Sequence, residues 1–179
     1  RPELFQPSLR VNAEVLARPR EATGGRLTGS FIYAHAGGYR GRNTLGYGVP
    51  EWRGLFRELK ELGMDTAILG VSAWVGFGES FYHSALFKDF RTWNVLDPML
   101  AAAAEERMTV YLGGAGLGAT EQMIGAETGD VGQAKACARR ELACYRELVQ
   151  RYRGAFHGYY LAAETGFWNW GNPEFLTRC

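Results

Sequence analysis

The stretch best equipped for chemistry is Glu164-Thr165-Gly166-Phe167-Trp168-Asn169-Trp170, a carboxylic acid followed closely by three aromatic rings. Glu164 ends the strand-like run Gly158-Tyr159-Tyr160-Leu161-Ala162-Ala163. Low-dielectric aromatic surroundings disfavour a carboxylate's charged form and raise its pKa, which suits a general acid that protonates a leaving oxygen in glycosidic-bond cleavage. The structural alternative is a strand-end carboxylate that accepts backbone N–H bonds or pairs with Arg40. His35 follows another apolar run, Ser30-Phe31-Ile32-Tyr33-Ala34. It could orient Glu164, hydrogen-bond a substrate hydroxyl, or simply be a satisfied loop histidine. Arg40 and Arg42 flank a Gly-rich turn and suit an acidic sugar or nothing at all. His83, Glu79 and Asp89 read as solvated loop residues.

A second chemical signal is aromatic. The segment 72–93 carries Trp74, Phe77, Phe81, Tyr82, Phe87, Phe90 and Trp93. Rigid rings suit a sugar, whose C–H faces are apolar and whose rims are hydroxyls. Most of these rings are expected only to pack the loop down. Trp74, within a few residues of a strand end, is the exception and joins Trp168 and Trp170 as a candidate substrate wall. A competing motif, Gly114-Ala115-Gly116-Leu117-Gly118-Ala119, fits G-x-G-x-x-A after a strand and would imply a nucleotide-dependent α/β enzyme. That fingerprint belongs to the first strand of its unit and should open a helix at once. Here it follows the third strand, and Thr120 to Gly132 shows no helical face, so a chance match in a chain with 24 Gly is the better account.

These residues need elements to hold them. Residues 1–28 form a lead-in with Pro2, Pro7 and Pro19 and no periodicity. From 29 to 179 strand-like and helical patterns alternate. Strands are predicted at 30–34, 66–71, 108–112 and 158–163. A helix over 51–62 shows Trp52, Leu55, Phe56 and Leu59 on one face, with Pro50 before it and Gly63 as its stop. A second opens at Asp97-Pro98 and runs to Arg107. The third spans roughly 133–153, with the stripe Cys137, Ala138, Leu142, Tyr145, Leu148, Val149 and Tyr152. Asn172-Pro173-Glu174-Phe175-Leu176 reads as a further helix start. Strict alternation implies parallel strands, in an open doubly wound sheet or a (β/α)8 barrel. Either way ligands meet the C-terminal strand ends. Long aromatic loops leave those ends, whereas the turns into the strands are short, which is the asymmetry of a barrel with its site on top.

Composition narrows the classes. Of 179 residues, 20 are Lys or Arg and 19 Asp or Glu, a net charge of +1 that lacks the electrostatic footprint of a nucleic-acid binder. No apolar run approaches the roughly 20 residues of a membrane span. Residue 1 is Arg, so the absence of a secretory segment leaves location open, extracytoplasmic included. Cys137 and Cys144, on one predicted helix, would lie about 10 Å apart, too far for a disulfide. No metal-ligand spacing is present, and no metal or cofactor is expected.

The segments Pro50-Glu51-Trp52 through Asp65-Thr66, "AAAEERMTVYLGG" and "HGYYLAAETGFW" resemble the first units of glycoside-hydrolase-like TIM barrels. The match is to an uncharacterised, mostly bacterial family similar to the clan A glycosidases, over about residues 29–170. The resemblance implies that Glu164, at the end of strand four, is the acid/base. Clan A enzymes usually have Asn before that Glu, and here Ala163 stands there. The clan's nucleophile ends strand seven, beyond this sequence. The expectation is therefore an α/β chain forming the N-terminal half of a TIM barrel with four βα-type strands. At about 40 residues per unit the eight units exceed the roughly 250 residues of a typical barrel. The expected activity is that of an O-glycosyl hydrolase, with Glu164 catalytic and His35, Trp74, Trp168 and Trp170 binding substrate. The alternative is a non-catalytic carbohydrate-binding barrel. The expected partners are a carbohydrate and the missing half of the barrel, without which this half should be inactive and poorly stable or self-associating.

Overall fold

The computed structural model describes residues 27–34, 44–116 and 131–162. In chain order these form β1 (Gly29–Ile32), α1 (Val49–Glu61), β2 (Thr66–Leu69), β3 (Ala73–Trp74), a single 3-10 turn (Val75–Phe77), β4 (Glu79–Ser80), β5 (Arg91–Thr92), α2 (Leu96–Glu106), β6 (Thr109–Gly113), β7 (Ala115–Gly116), α3 (Val131–Arg151) and β8 (Gly158–Tyr160). The fold is mixed α/β. Its main sheet has the order β1-β2-β6-β8, and every neighbouring pair is parallel.

Local chemistry explains the boundaries. Glu51, in the first turn of α1, accepts the Gly48 N–H at 2.9 Å, and Pro50 occupies a position whose missing N–H costs nothing. The helix stops where Gly63 takes φ 83°, which a side chain would resist. Helix α2 ends instead on Arg107, held at φ 54° without glycine's freedom. It begins at Leu96, so Asp97 lies inside the first turn and is not the cap expected from sequence. The Asp97 carboxylate accepts the Tyr152 hydroxyl at 2.7 Å.

The two faces of the main sheet differ in fate. Ala67, Leu69, Val110 and Leu112 are buried against Trp52 and Phe56 of α1, Leu96, Met99 and Ala103 of α2, and Cys144 and Leu148 of α3. The other face carries Phe31, Ile68, Tyr111 and Gly158 in one register row, with Tyr33, Gly70, Gly113 and Tyr160 beyond it. A flat sheet would hold β1 and β8 about 14 Å apart. The Phe31 and Tyr160 rings nevertheless meet edge to face with centroids 5.1 Å apart. The sheet is therefore rolled, and this aromatic face is its concave side. Glycine makes room for it: a Cβ at Gly70 would overlap the Tyr33 ring, and one at Gly158 would overlap Tyr111.

The segment after β2, expected as one long loop, pairs into a second small sheet in the order β5-β4-β3-β7. β3 and β7 follow closely on β2 and β6, so this sheet stands at the C-terminal ends of the main strands. Helix α3 buries Cys137, Leu148 and Tyr152 of its expected stripe but not the rest. Its buried row is Cys137, Glu141, Cys144, Leu148 and Tyr152, whereas Leu142 and Tyr145 are exposed. A glutamate occupies a core position, so the apolar pattern read from sequence is rotated partly away from the true buried face.

Candidate active site at the strand ends

Trp74 lies where sequence places it, at the C-terminal end of the main sheet. Its ring is 6.3 Å from that of Tyr33 and 5.3 Å from that of Phe77, centroid to centroid. Tyr33 is in turn 6.4 Å from Phe31. A row of rings thus runs from Tyr160 through Phe31, Tyr33 and Trp74 to Phe77, all at separations where aromatic pairs attract. Trp74 is half-buried and Phe77 is 53% exposed, so the row ends in accessible apolar surface. His35, Glu164, Trp168 and Trp170 lie outside the described residues, as do Arg40 and Arg42.

The other rings of the 72–93 segment divide as expected. Phe81, Tyr82 and Phe87 are core residues. Phe87 stacks on Phe90 at 5.1 Å. Trp93 carries the Arg91 guanidinium 4.0 Å from its ring centroid and donates its indole N–H to Glu79 at 3.4 Å. Glu79 is not a solvated loop carboxylate: it is buried on β4, directly opposite Trp74 in the register. His83 is exposed, and its carbonyl accepts from Arg151 at 3.0 Å.

Two carboxylates on α3 escaped sequence reading. Glu147 accepts the Tyr82 hydroxyl at 2.9 Å, the Ser84 hydroxyl at 2.6 Å and the Ala85 N–H at 2.5 Å, tying the aromatic segment to the helix. Burial alone would raise its pKa, but these donors together hold it below the ordinary glutamate value. Glu141 is 5% exposed and accepts from the Tyr159 hydroxyl. Here burial wins, and the pKa is raised. Beside it, burial pushes the Cys144 thiol up to about 12 and the Tyr159 and Tyr82 hydroxyls well above the ordinary phenol range. The sequence signal available was the spacing of 137, 141, 144, 148 and 152, a helical face with one carboxylate in it.

Gly114 belongs to this cluster. A Cβ there would overlap the Glu141 carboxylate and the Tyr159 hydroxyl. Its glycine is thus explained by an acid packed against it, which would repel a pyrophosphate. Ala115 and Gly116, moreover, form a strand and do not open a helix. Both observations count against the nucleotide reading of 114–119.

A cavity of about 540 Å³ lies between α3 and β8. Leu142, Tyr145, Val149 and Leu161 line it together with Glu141 and Tyr159, on the helix side of the sheet and away from the aromatic row. Among the described residues no cluster of His, Cys, Asp or Glu is placed to hold a metal ion. Among them, too, no helix is long and apolar enough to cross a membrane.

Comparison with known proteins adds two findings. The model of the family described as Domain of unknown function (DUF4434) matches residues 27–178. The fold is similar to a crystal structure described as a "putative alpha-L-fucosidase" from Bacteroides thetaiotaomicron VPI-5482, with a TM-score of 0.60 at 20% sequence identity. The similarity covers 82% of this chain and 45% of that one, so the chain spans just under half the length of its structural neighbour. No curated protein matches in sequence.

Proposed function

The chain belongs to the DUF4434 family, and on that footing we propose that it is part of a glycoside-hydrolase-like TIM barrel acting on a carbohydrate at the C-terminal strand ends. The observation that carries this reading is the row of rings ending in Trp74 and the exposed Phe77. Such a surface stacks on the apolar faces of a pyranose, and the rolled parallel sheet beneath it suits a barrel wall. The structural neighbour's description supports an α-L-fucoside as the first substrate to try.

In this reading Glu164, just beyond β8, is the general acid that protonates the leaving oxygen. His35 orients it or binds a hydroxyl, and Trp74, Trp168 and Trp170 form the sugar wall. The concave face is covered by further βα units, which supply the second carboxylate. That group lies about 5–5.5 Å from Glu164 if the enzyme is retaining and about 6.5–9.5 Å if it is inverting.

The test is Glu164→Gln in the full-length protein, assayed on alkyl glycosides beginning with methyl α-L-fucoside, whose alkoxide leaving group needs the proton. Loss of general acid catalysis should lower kcat by about 10²–10⁴-fold while sugar binding persists. Unchanged turnover overturns the catalytic assignment. A wild-type protein that binds the sugar without hydrolysing any glycoside assigns the ring surface to binding alone.

A further inference from the structure

Gly114 ties strand exits together at the mouth through both of its peptides. The Gly114 N–H donates to the Tyr160 carbonyl at 3.0 Å, and the Gly114 carbonyl accepts the Ser72 N–H at 2.9 Å. Gly114 is also packed directly against the Glu141 carboxylate and the Tyr159 hydroxyl, where it leaves no room for a Cβ. Residues 115–116 then pair with 73–74, placing Gly116 beside Trp74 in the register. Three strand exits therefore meet at one point: that of β8, which leads on to Glu164, that of β2, which leads to Trp74, and that of β6 itself.

The acid packed against this point is Glu141. It comes from the middle of α3, and its bond is to Tyr159 of β8. The arrangement is costly. This helix-interior glutamate is only 5% exposed, and its Oε1 has no hydrogen-bond partner among the described residues. An apolar residue would fill a helix–sheet contact at less cost, yet it could not accept the Tyr159 hydroxyl. Gly114 completes the arrangement, because any side chain there would displace the carboxylate.

We propose that Glu141 and Tyr159 are positioning residues that pack against Gly114 and, through the two peptides of that residue, set Trp74 and the β8 exit relative to each other. The inference rests on the reading of Trp74 and Glu164 as sugar-facing groups. It concerns how they are held, and Glu141 itself does not touch the substrate.

The test uses the full-length protein with Glu141→Leu, Glu141→Gln and Tyr159→Phe, and Cys144→Ala as a control in the same buried row. Amide hydrogen exchange at Gly114 and Ser72 reads the geometry without any substrate. Exchange there should quicken about 10-fold or more in Glu141→Leu, less in Glu141→Gln, whose amide oxygen still accepts, and not in Cys144→Ala, although that change opens a cavity. With the alkyl glycoside that the wild type hydrolyses, kcat should fall about 10- to 100-fold in Glu141→Leu, as misplacement of reacting groups does, and recover in Glu141→Gln. Equal exchange and equal kcat in Glu141→Leu and Cys144→Ala would overturn the proposal, since both would then merely loosen the fold. A silent Glu164→Gln beside an altered Glu141→Leu would instead sink the catalytic reading and leave the positioning intact.

Discussion

Glycines in the described structure are required for two different reasons, and substitution separates them. At Gly158 the backbone is ordinary, but a methyl group would overlap the Tyr111 ring on the neighbouring strand. At Gly154 an added methyl group would meet nothing within 4 Å, yet φ is 78°, where an L side chain meets its own backbone. Gly158→Ala should therefore cost about 1–3 kcal/mol through overpacking, and Tyr111→Ala in the same molecule should relieve part of it. Gly154→Ala should cost about 1–2 kcal/mol whatever happens at Tyr111. Urea midpoints of the single and double variants check this; additive losses at 158 and 111 would refute the steric account. At this scale the sequence was informative where residue type alone carries the meaning. Trp74 could be placed because it follows a strand end. Glu79 could not, because its burial comes from pairing opposite Trp74, and nothing in its neighbours along the chain announces that.

Helix α3 shows how one element can carry two acids of opposite pH behaviour. Glu147 has a lowered folded pKa, so its contribution is present above the ordinary glutamate value of about 4.3 and is lost as pH falls through the lower folded value. Glu141 has a raised folded pKa, so its contribution is fullest below about 4.3 and is lost as pH rises through the folded value. Glu147→Gln should flatten the acid limb of the thermal stability profile, and Glu141→Gln should flatten the decline above it. The Glu147 effect is the smaller, because partial exposure lets solvent screen that carboxylate. Melting curves from about pH 3 to 8 read both limbs; if the two variants bend the same limb, the assignment of causes is wrong. The order and parallel alternation of the main elements were legible, since helices α1, α2 and α3 and strands β1, β2, β6 and β8 all lie within predicted segments or a few residues of them. The second sheet was not, because two-residue strands are too short to show a period. The face of α3 was legible only in part: Cys137, Leu148 and Tyr152 are buried as expected, whereas Leu142 and Tyr145 look like core but are exposed, because the helix turns Glu141 and Cys144 inward, where Tyr159 and Tyr82 meet them.

On the scale of the whole molecule, the two sides of the main sheet are unequal. One is sealed by three helices, with α1 and α2 further joined by Arg53 and Arg57 to Glu106 at 2.9–3.0 Å. The other shows Phe31 at 47% and Tyr111 at 38% exposure, more than the apolar face of a sheet usually leaves open. Sequence could reveal that the strands were parallel, but not that β1 and β8 curl toward each other, because curvature resides in glycine–aromatic pairs across strands and not along any one of them. The row of rings that records this curvature has an optical consequence. Tyr33 lies close enough to Trp74 to hand over its excitation before it can emit, so the tyrosine at the mouth should be dark while the tryptophan glows. Replacing Trp74 with Phe should return tyrosine light to the emission spectrum, whereas replacing Trp93, which sits against Arg91 and Glu79, should return less. Equal recovery from both would mean that Tyr33 and Trp74 are not neighbours in solution. If the difference is found, the mouth's assembly can be followed in a cuvette by colour alone, before any sugar is added.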